Sequence, residues 1–155
     1  MKITFIPASQ NHVQAMEGRW RQADIDEVSA ASGLTPAEAI REGIGISRVA
    51  YTVLFDGVPV AVFGVSGCLL GGGGAPWMIG TSDLDRHPYA MVKAARPVVK
   101  QLREWFAPLA NWVDARNVRS IAWLKAMGFT VADIATPHGL EGLPFYLFVM
   151  ELQHV

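Results

Sequence analysis

One cysteine, Cys68, stands in the 155 residues. No disulfide can close within the chain, and a reducing, intracellular setting is expected. Charge of one sign is missing too. With 13 Lys and Arg against 14 Asp and Glu, the formal net charge of -1 gives no field that would draw nucleic acid or an anionic membrane. No run reaches the roughly 18 apolar residues of a membrane span. The opening MKITFIPASQ lacks the basic flank and long apolar core of a secretory signal, so the expected location is the cytoplasm. Nucleotide-binding signatures are also lacking. The run Gly71-Gly72-Gly73-Gly74 is followed neither by the Lys and Ser/Thr of a phosphate loop nor by a helix, and it reads as a hairpin loop. Asp83-x-Asp85-x-His87 has metal-ligand residue types but no second cluster to complete a coordination sphere, so no metal is expected.

What is present is core-forming sequence. The chain is 51% apolar, enough for one well-buried domain over residues 1–155. Residues 2–6 read as a strand that Pro7 limits. Residues 9–32 carry helical periodicity, broken near Gly18 and stopped by Gly33. Thr35, Pro36 and Glu38 occupy the N-cap, N1 and N3 positions of a capping box, which predicts a helix there. Residues 48–55 and 58–65 are β-branched and aromatic, joined by Asp56-Gly57, a pair suited to a type I′ turn; Pro59 must sit where its missing N–H does no harm.

A strand at residues 75–79 precedes an amphipathic helix that begins near Pro88, with Met91, Ala95, Val98 and Leu102 on its apolar face. Pro97 lies inside it and either kinks it or marks its true start. A strand at 109–115, a helix at 117–127, a strand at 129–135, a loop at 136–144 and a final strand at 145–152 complete the chain. This order predicts an α+β fold with a mixed sheet.

That order, the Asp56-Gly57 hairpin, the strand containing Gly64 and above all Asn117-x-x-Ser120 running to Met127-Gly128-Phe129 resemble the GCN5-related N-acetyltransferase (GNAT) superfamily over nearly the whole chain. More narrowly, WMIGTSDLDRHP and WVDARNVRSIAWLKAMGF resemble the bacteriophage Gp13-like proteins, acetyltransferase or internal virion proteins of tailed phages. The resemblance implies a mixed, mostly antiparallel sheet of about six to seven strands flanked by helices, with a V-shaped opening where strands 4 and 5 run parallel and diverge. It also implies acetyl-CoA as cofactor, with a pyrophosphate on the helix start after strand 4. The cofactor-binding residues it implies are Gly80, Thr81, Arg86, His87 and Tyr89, with Asn117 on the pantetheine arm and Ser120 facing the same cleft.

The chain departs from the superfamily pattern in two places. Residues 81–89, TSDLDRHPY, lack the glycines of the phosphate loop, and Asp83 and Asp85 bring negative charge that Arg86 offsets. The position of the Tyr that often protonates the departing thiolate is Leu124, with Trp123 beside it, and the strand PWMIG carries no Glu to act as base. No catalytic residue is identified; Tyr89, His138 and Tyr146 are the groups of suitable type left over. Plainer roles stand beside these: Asp85 or His87 as a helix cap, Asn117 as a cap with Ser120 as packing, His138 and Glu141 in a solvated loop, Cys68 as a buried inert thiol.

Two functions follow. One is an acyl-CoA-dependent N-acetyltransferase of phage or prophage origin in the bacterial host cytoplasm, acting on a small-molecule amine or a protein amino group. The other is a GNAT-shaped protein without catalysis, virion-associated or bound to a phage or host protein. A homodimer is compatible with both.

Overall fold

The computed structural model describes residues 1–67 and 73–152; Cys68, Gly71 and Gly72 lie outside them. The chain runs β1 (Ile3–Pro7), α1 (Gln10–Met16), α2 (Gln22–Ser32), α3 (Pro36–Ile46), β2 (Ser47–Phe55), β3 (Val58–Gly67) and β4 (Gly74–Gly80). A 3-10 helix (Ser82–Arg86) leads into α4 (Pro88–Phe106), followed by β5 (Leu109–Asp114), α5 (Val118–Ala126), β6 (Thr130–Val131), β7 (Thr136–His138) and β8 (Leu143–Met150). The strands form one sheet in the order β1-β2-β3-β4-β5-β8-β6, with β7 also on β8. Every pairing is antiparallel except β4 with β5.

Local chemistry accounts for most boundaries. Asp56 and Gly57 take φ of 48° and 82°, the left-handed pair that a two-residue hairpin requires. Pro59 sits at an irregularity in that hairpin: Val53 pairs with Ala61 and Leu54 with Pro59, so the extra residue absorbs the proline. Thr35 accepts a hydrogen bond from the Glu38 N–H at 3.2 Å and the Glu38 carboxylate accepts one from the Thr35 N–H at 3.0 Å, which completes the capping box. The helical stretch 9–32 divides into α1 and α2, with Gly18 at φ 80° between them and Gly33 left-handed at the end.

Three sequence expectations are corrected. α4 starts at Pro88 and passes through Pro97, so Pro97 is not its start; Pro97 lies on the exposed face, where water can serve the carbonyl it leaves unpaired. The strand expected at 129–135 shrinks to Thr130–Val131. The loop expected at 136–144 contains β7, because Thr136 and His138 find partners in Phe145 and Leu143. These two short strands bring the sheet to eight.

Each sheet face carries its own core. On one, α4 and α5 bring Met91, Ala95, Leu102 and Leu124 onto Val53, Ala61, Leu109 and Val113; on the other, Val13, Met16 and Ile40 of α1 and α3 pack on Val62 and Ile79. Neighbours such as Ala61 and Val62 point to opposite faces because side chains alternate along a strand. No helix among the described residues is long and apolar enough to cross a membrane.

Candidate functional site

β4 and β5 meet at one position only, Gly74 with Leu109, and then separate. The parallel, diverging pair expected from the sequence is present. Splayed strands leave backbone N–H and C=O groups without their usual partners, and burying such groups is costly. Side chains supply several of the missing bonds. The Asn111 amide donates to the Pro76 carbonyl at 3.0 Å while its oxygen accepts from the Trp112 N–H at 2.8 Å. Asp24 accepts from the Gly80 N–H at 2.9 Å, and Glu27, one turn along α2, accepts from the Asp114 N–H at 2.7 Å. Two carboxylates three residues apart on one helix face thus straddle the opening, one on each strand.

Between these bridges one backbone edge stays open. Pro76 and Gly80 turn their backbone groups toward β5, and alternation along the strand turns those of Met78 the same way. The Met78 N–H and C=O face the gap, where Met78 has no ladder pair on β5. The gap opens into a cavity of about 270 Å³. Its polar wall holds Glu27, Ser32, Asn111, Ser120 and His138. The rest is apolar, including Trp77 and Trp123, and the Trp123 indole N–H is buried without a partner.

Burial pushes the Glu27 carboxyl up to about 7, against the pull of the Asp114 N–H, with the nearby Asp24 charge adding to the rise. Asp24 is also raised by burial, although Arg21 and the Gly80 N–H oppose this. Burial acts in the same sense on Asp114, but the side-chain and backbone hydrogen bonds of Arg116 outweigh it and hold Asp114 below the ordinary range. Arg21, only 6% exposed, lies 3.2 Å from both Asp24 and Asp85 and donates to the Ser120 hydroxyl at 3.3 Å.

The residues expected from the sequence divide into groups. Asn117 is the cap of α5: its side-chain oxygen accepts from the Ser120 N–H at 3.4 Å, and its amide donates to Glu27 at 3.4 Å. It therefore positions Glu27 and does not line the cavity, whereas Ser120 does. Gly80 has both backbone groups engaged, by Asp24 and by the Arg21 N–H. Thr81 is buried against the Val60 carbonyl. Tyr89 is 90% exposed, and neither its side chain nor that of Tyr146 lines the cavity. His138 is not a solvated loop residue: its ring stacks on Trp112 with centroids 4.5 Å apart.

Neither His87 nor Asp85 caps α4 with its side chain. The His87 ring packs edge-on against Phe55, and Asp85 pairs with Arg21 and, at 3.6 Å, with Arg119. Asp83 is held by Arg19 at 2.7 Å and Arg86 at 3.6 Å. Around the start of α4 the two carboxylates that the sequence set against an anion are thus faced by Arg19, Arg21, Arg86 and Arg119. Arg86 and Arg119 are mostly exposed.

Sequence reasoning missed Arg21, Asp24 and Glu27. The available signal was their spacing, Arg21-x-x-Asp24-x-x-Glu27, which puts three charges along one side of a helix that was read through its apolar positions alone.

Solved structures of similar shape include acetyltransferases. An N-acetyltransferase from Staphylococcus aureus Mu50 matches with a TM-score of 0.70 at 12% identity, over 99% of this chain and 100% of its own. A GNAT-family acetyltransferase from Bacillus anthracis matches with 0.70 at 10% identity, over 99% and 97%. The ribosomal-protein-S18-alanine N-acetyltransferase from Escherichia coli matches with 0.66 at 13% identity, over 99% and 96%. At these identities the likeness is one of fold, and the fold is that of the GNAT acetyltransferases. No protein-family model matches the chain, and no curated protein matches its sequence.

Proposed function

We propose that this chain is an N-acyltransferase that takes an acyl group from acetyl-CoA or a related thioester to an amine, with Glu27 as the general base. The observation that carries the reading is the opening itself: β4 and β5 part after Gly74 and Leu109 around a cavity that has Glu27 on its wall. The residues present fit the cofactor. The free N–H and C=O of Met78 offer a donor and an acceptor to the amide-bearing arm. Arg86 and Arg119, with the Tyr89 and Ala90 N–H groups at the start of α4, face the diphosphate, and Ser120 lies on the cavity wall. When bound, acyl-CoA supplies the thioester whose acyl group is transferred.

The protein's part is proton handling and orientation. An acceptor amine arrives mostly as ammonium and must lose a proton before it can attack. A carboxylate that titrates near 7 takes that proton without holding it too tightly. One Glu27 oxygen is fixed by the Asp114 N–H and the Asn117 amide, which leaves the other for the amine. The buried Trp123 N–H is a hydrogen-bond donor awaiting an acceptor on the ligand. The two segments that resemble Gp13-like proteins add a phage or prophage setting and leave the acceptor open, as a small amine or a protein amino group.

A second reading has its own support. Asn111, Asp24 and Glu27 stand in for missing strand-to-strand bonds, which is what a GNAT-shaped binding or virion protein without turnover would need to close its sheet. Calorimetry with acetyl-CoA, followed by a thiol-release assay over a panel of amines, separates the two. Saturable binding and amine-dependent release support the enzyme, with release lost in Glu27→Gln. Absence of any heat at millimolar acetyl-CoA sinks the acyl-CoA reading and leaves the binding protein.

A further inference from the structure

The cavity is lopsided. Its polar groups collect on the α2 and β7 side, around Glu27 and His138, while the part beneath α4 has no hydrogen-bonding side chain. There Phe5, Phe63, Ala95, Val98, Val99 and Leu102 form the wall. Phe5 belongs to β1, three strands from the opening, so the apolar space reaches on the order of 14 Å across the sheet at the usual strand spacing. A second hollow of about 270 Å³ shares Phe5, Phe63, Val98 and Leu102 and extends toward Tyr51 and Trp105. Protein cores ordinarily close such space, and an apolar cavity of about 150 Å³ already holds a benzene-sized guest. An acetyl group held at the opening does not extend into the apolar part of this space under α4. A polar guest would have its hydrogen-bonding groups stranded against phenyl and aliphatic side chains.

We infer that the acyl group this site accepts is a medium-length aliphatic chain, on the order of eight carbons, laid from the β4–β5 opening under α4. The inference rests on the reading of the opening as an acyl-CoA site and adds the acyl class. Each methylene buried in the hollow strengthens binding several-fold, so octanoyl-CoA binds more than tenfold tighter than acetyl-CoA. Narrowing the hollow removes that preference.

The test is calorimetry of the full chain with CoA, acetyl-CoA and octanoyl-CoA, repeated on Ala95→Leu and, from a different turn of α4, Val98→Phe, each checked for a cooperative melt. The expected result is a strong octanoyl preference in the wild type that falls toward parity in whichever variant folds. Equal affinity of the wild type for both thioesters overturns the inference and leaves the acyl-CoA reading intact. A preference that survives both substitutions overturns the placement under α4. Failure of CoA and both thioesters to bind overturns the underlying reading, and the inference with it.

Discussion

At the scale of single residues, Glu27 concentrates the chemistry. Its proton is held by burial up to about 7 in the folded chain, against an ordinary value of 4.5. Between those values the folded state binds a proton that the unfolded state has released, so stability is full below about pH 4.5 and is lost as pH rises through about 7. The loss is ~3 kcal/mol, with buried Asp24 acting in the same sense. Urea midpoints should fall between pH 5 and pH 8, and Glu27→Gln should reduce the fall; a wild type equally stable at both pH values would contradict the assignment. For turnover, kcat should rise with pH to a plateau above about 7, and Glu27→Gln should lower it on the order of 10²–10⁴-fold and erase the rise. Nothing near Glu27 in the sequence announces this. Its partners, the Asp114 N–H and Asn117, lie 87 and 90 residues away and meet it only once α2 lies across the open sheet. Asn117 was legible as a polar cap because capping is local; that its amide also orients Glu27 was not.

Among the elements, α5 shows how much local sequence can specify. After its last turn, the Phe129 N–H donates to the Leu124 carbonyl and the Gly128 N–H to the Lys125 carbonyl, each at 3.0 Å, with Gly128 at φ 100°. This is a Schellman closure, and Phe129 proceeds into the core against Phe148. A Cβ at residue 128 would meet only the Met150 methyl at 3.5 Å, so the cost of Gly128→Ala is backbone strain rather than crowding. It should destabilise by about 1 kcal/mol, read as a lower melting temperature; no change would mean that the left-handed turn relaxes freely. Thr35→Ala should cost a similar ~1 kcal/mol through the lost cap in the same measurement. The hairpin at Asp56-Gly57, the capping box and this closure were readable because each is fixed within a few residues. The extent of β6 and the existence of β7 were not, since how much of residues 129–135 is strand and whether Thr136–His138 is one depend on β8, which lies later in the chain. The charged stripe of α2 was likewise invisible as a site until β4 and β5 supplied N–H groups for it to meet.

For the whole molecule, the near-neutral net charge conceals an uneven distribution. The fold gathers Arg19, Arg21, Arg86 and Arg119 around Asp83 and Asp85 at the start of α4, drawing Arg19 and Arg21 from the chain just before α2 and Arg119 from the first turn of α5. In the sequence, residues 81–89 read as poorly suited to a phosphate because the two aspartates stand there with Arg86 alone to offset them. In the folded chain the cluster carries four cations against the three carboxylates of Asp24, Asp83 and Asp85, and Arg86 and Arg119 are the two with most of their surface in water. Exposed charges of this kind are worth little to stability, so Arg86→Ala and Arg119→Ala should leave the melting temperature nearly unchanged. Their effect belongs to the ligand. A charge-assisted contact to a phosphate contributes about 1.5 to 3 kcal/mol, so each substitution should weaken acetyl-CoA binding on the order of tenfold or more. Raising the salt concentration should weaken the wild type and affect the double variant less, because the screened charges are those already removed. Met78 provides an internal control at the other end of the same ligand: its amide should exchange rapidly in the free protein and become protected when acetyl-CoA binds. Protection at Met78 without any loss of affinity in the arginine variants would keep the thioester arm in the opening and move the diphosphate away from α4. Loss of affinity without protection at Met78 would mean that the arginines bind an anion that never enters the sheet.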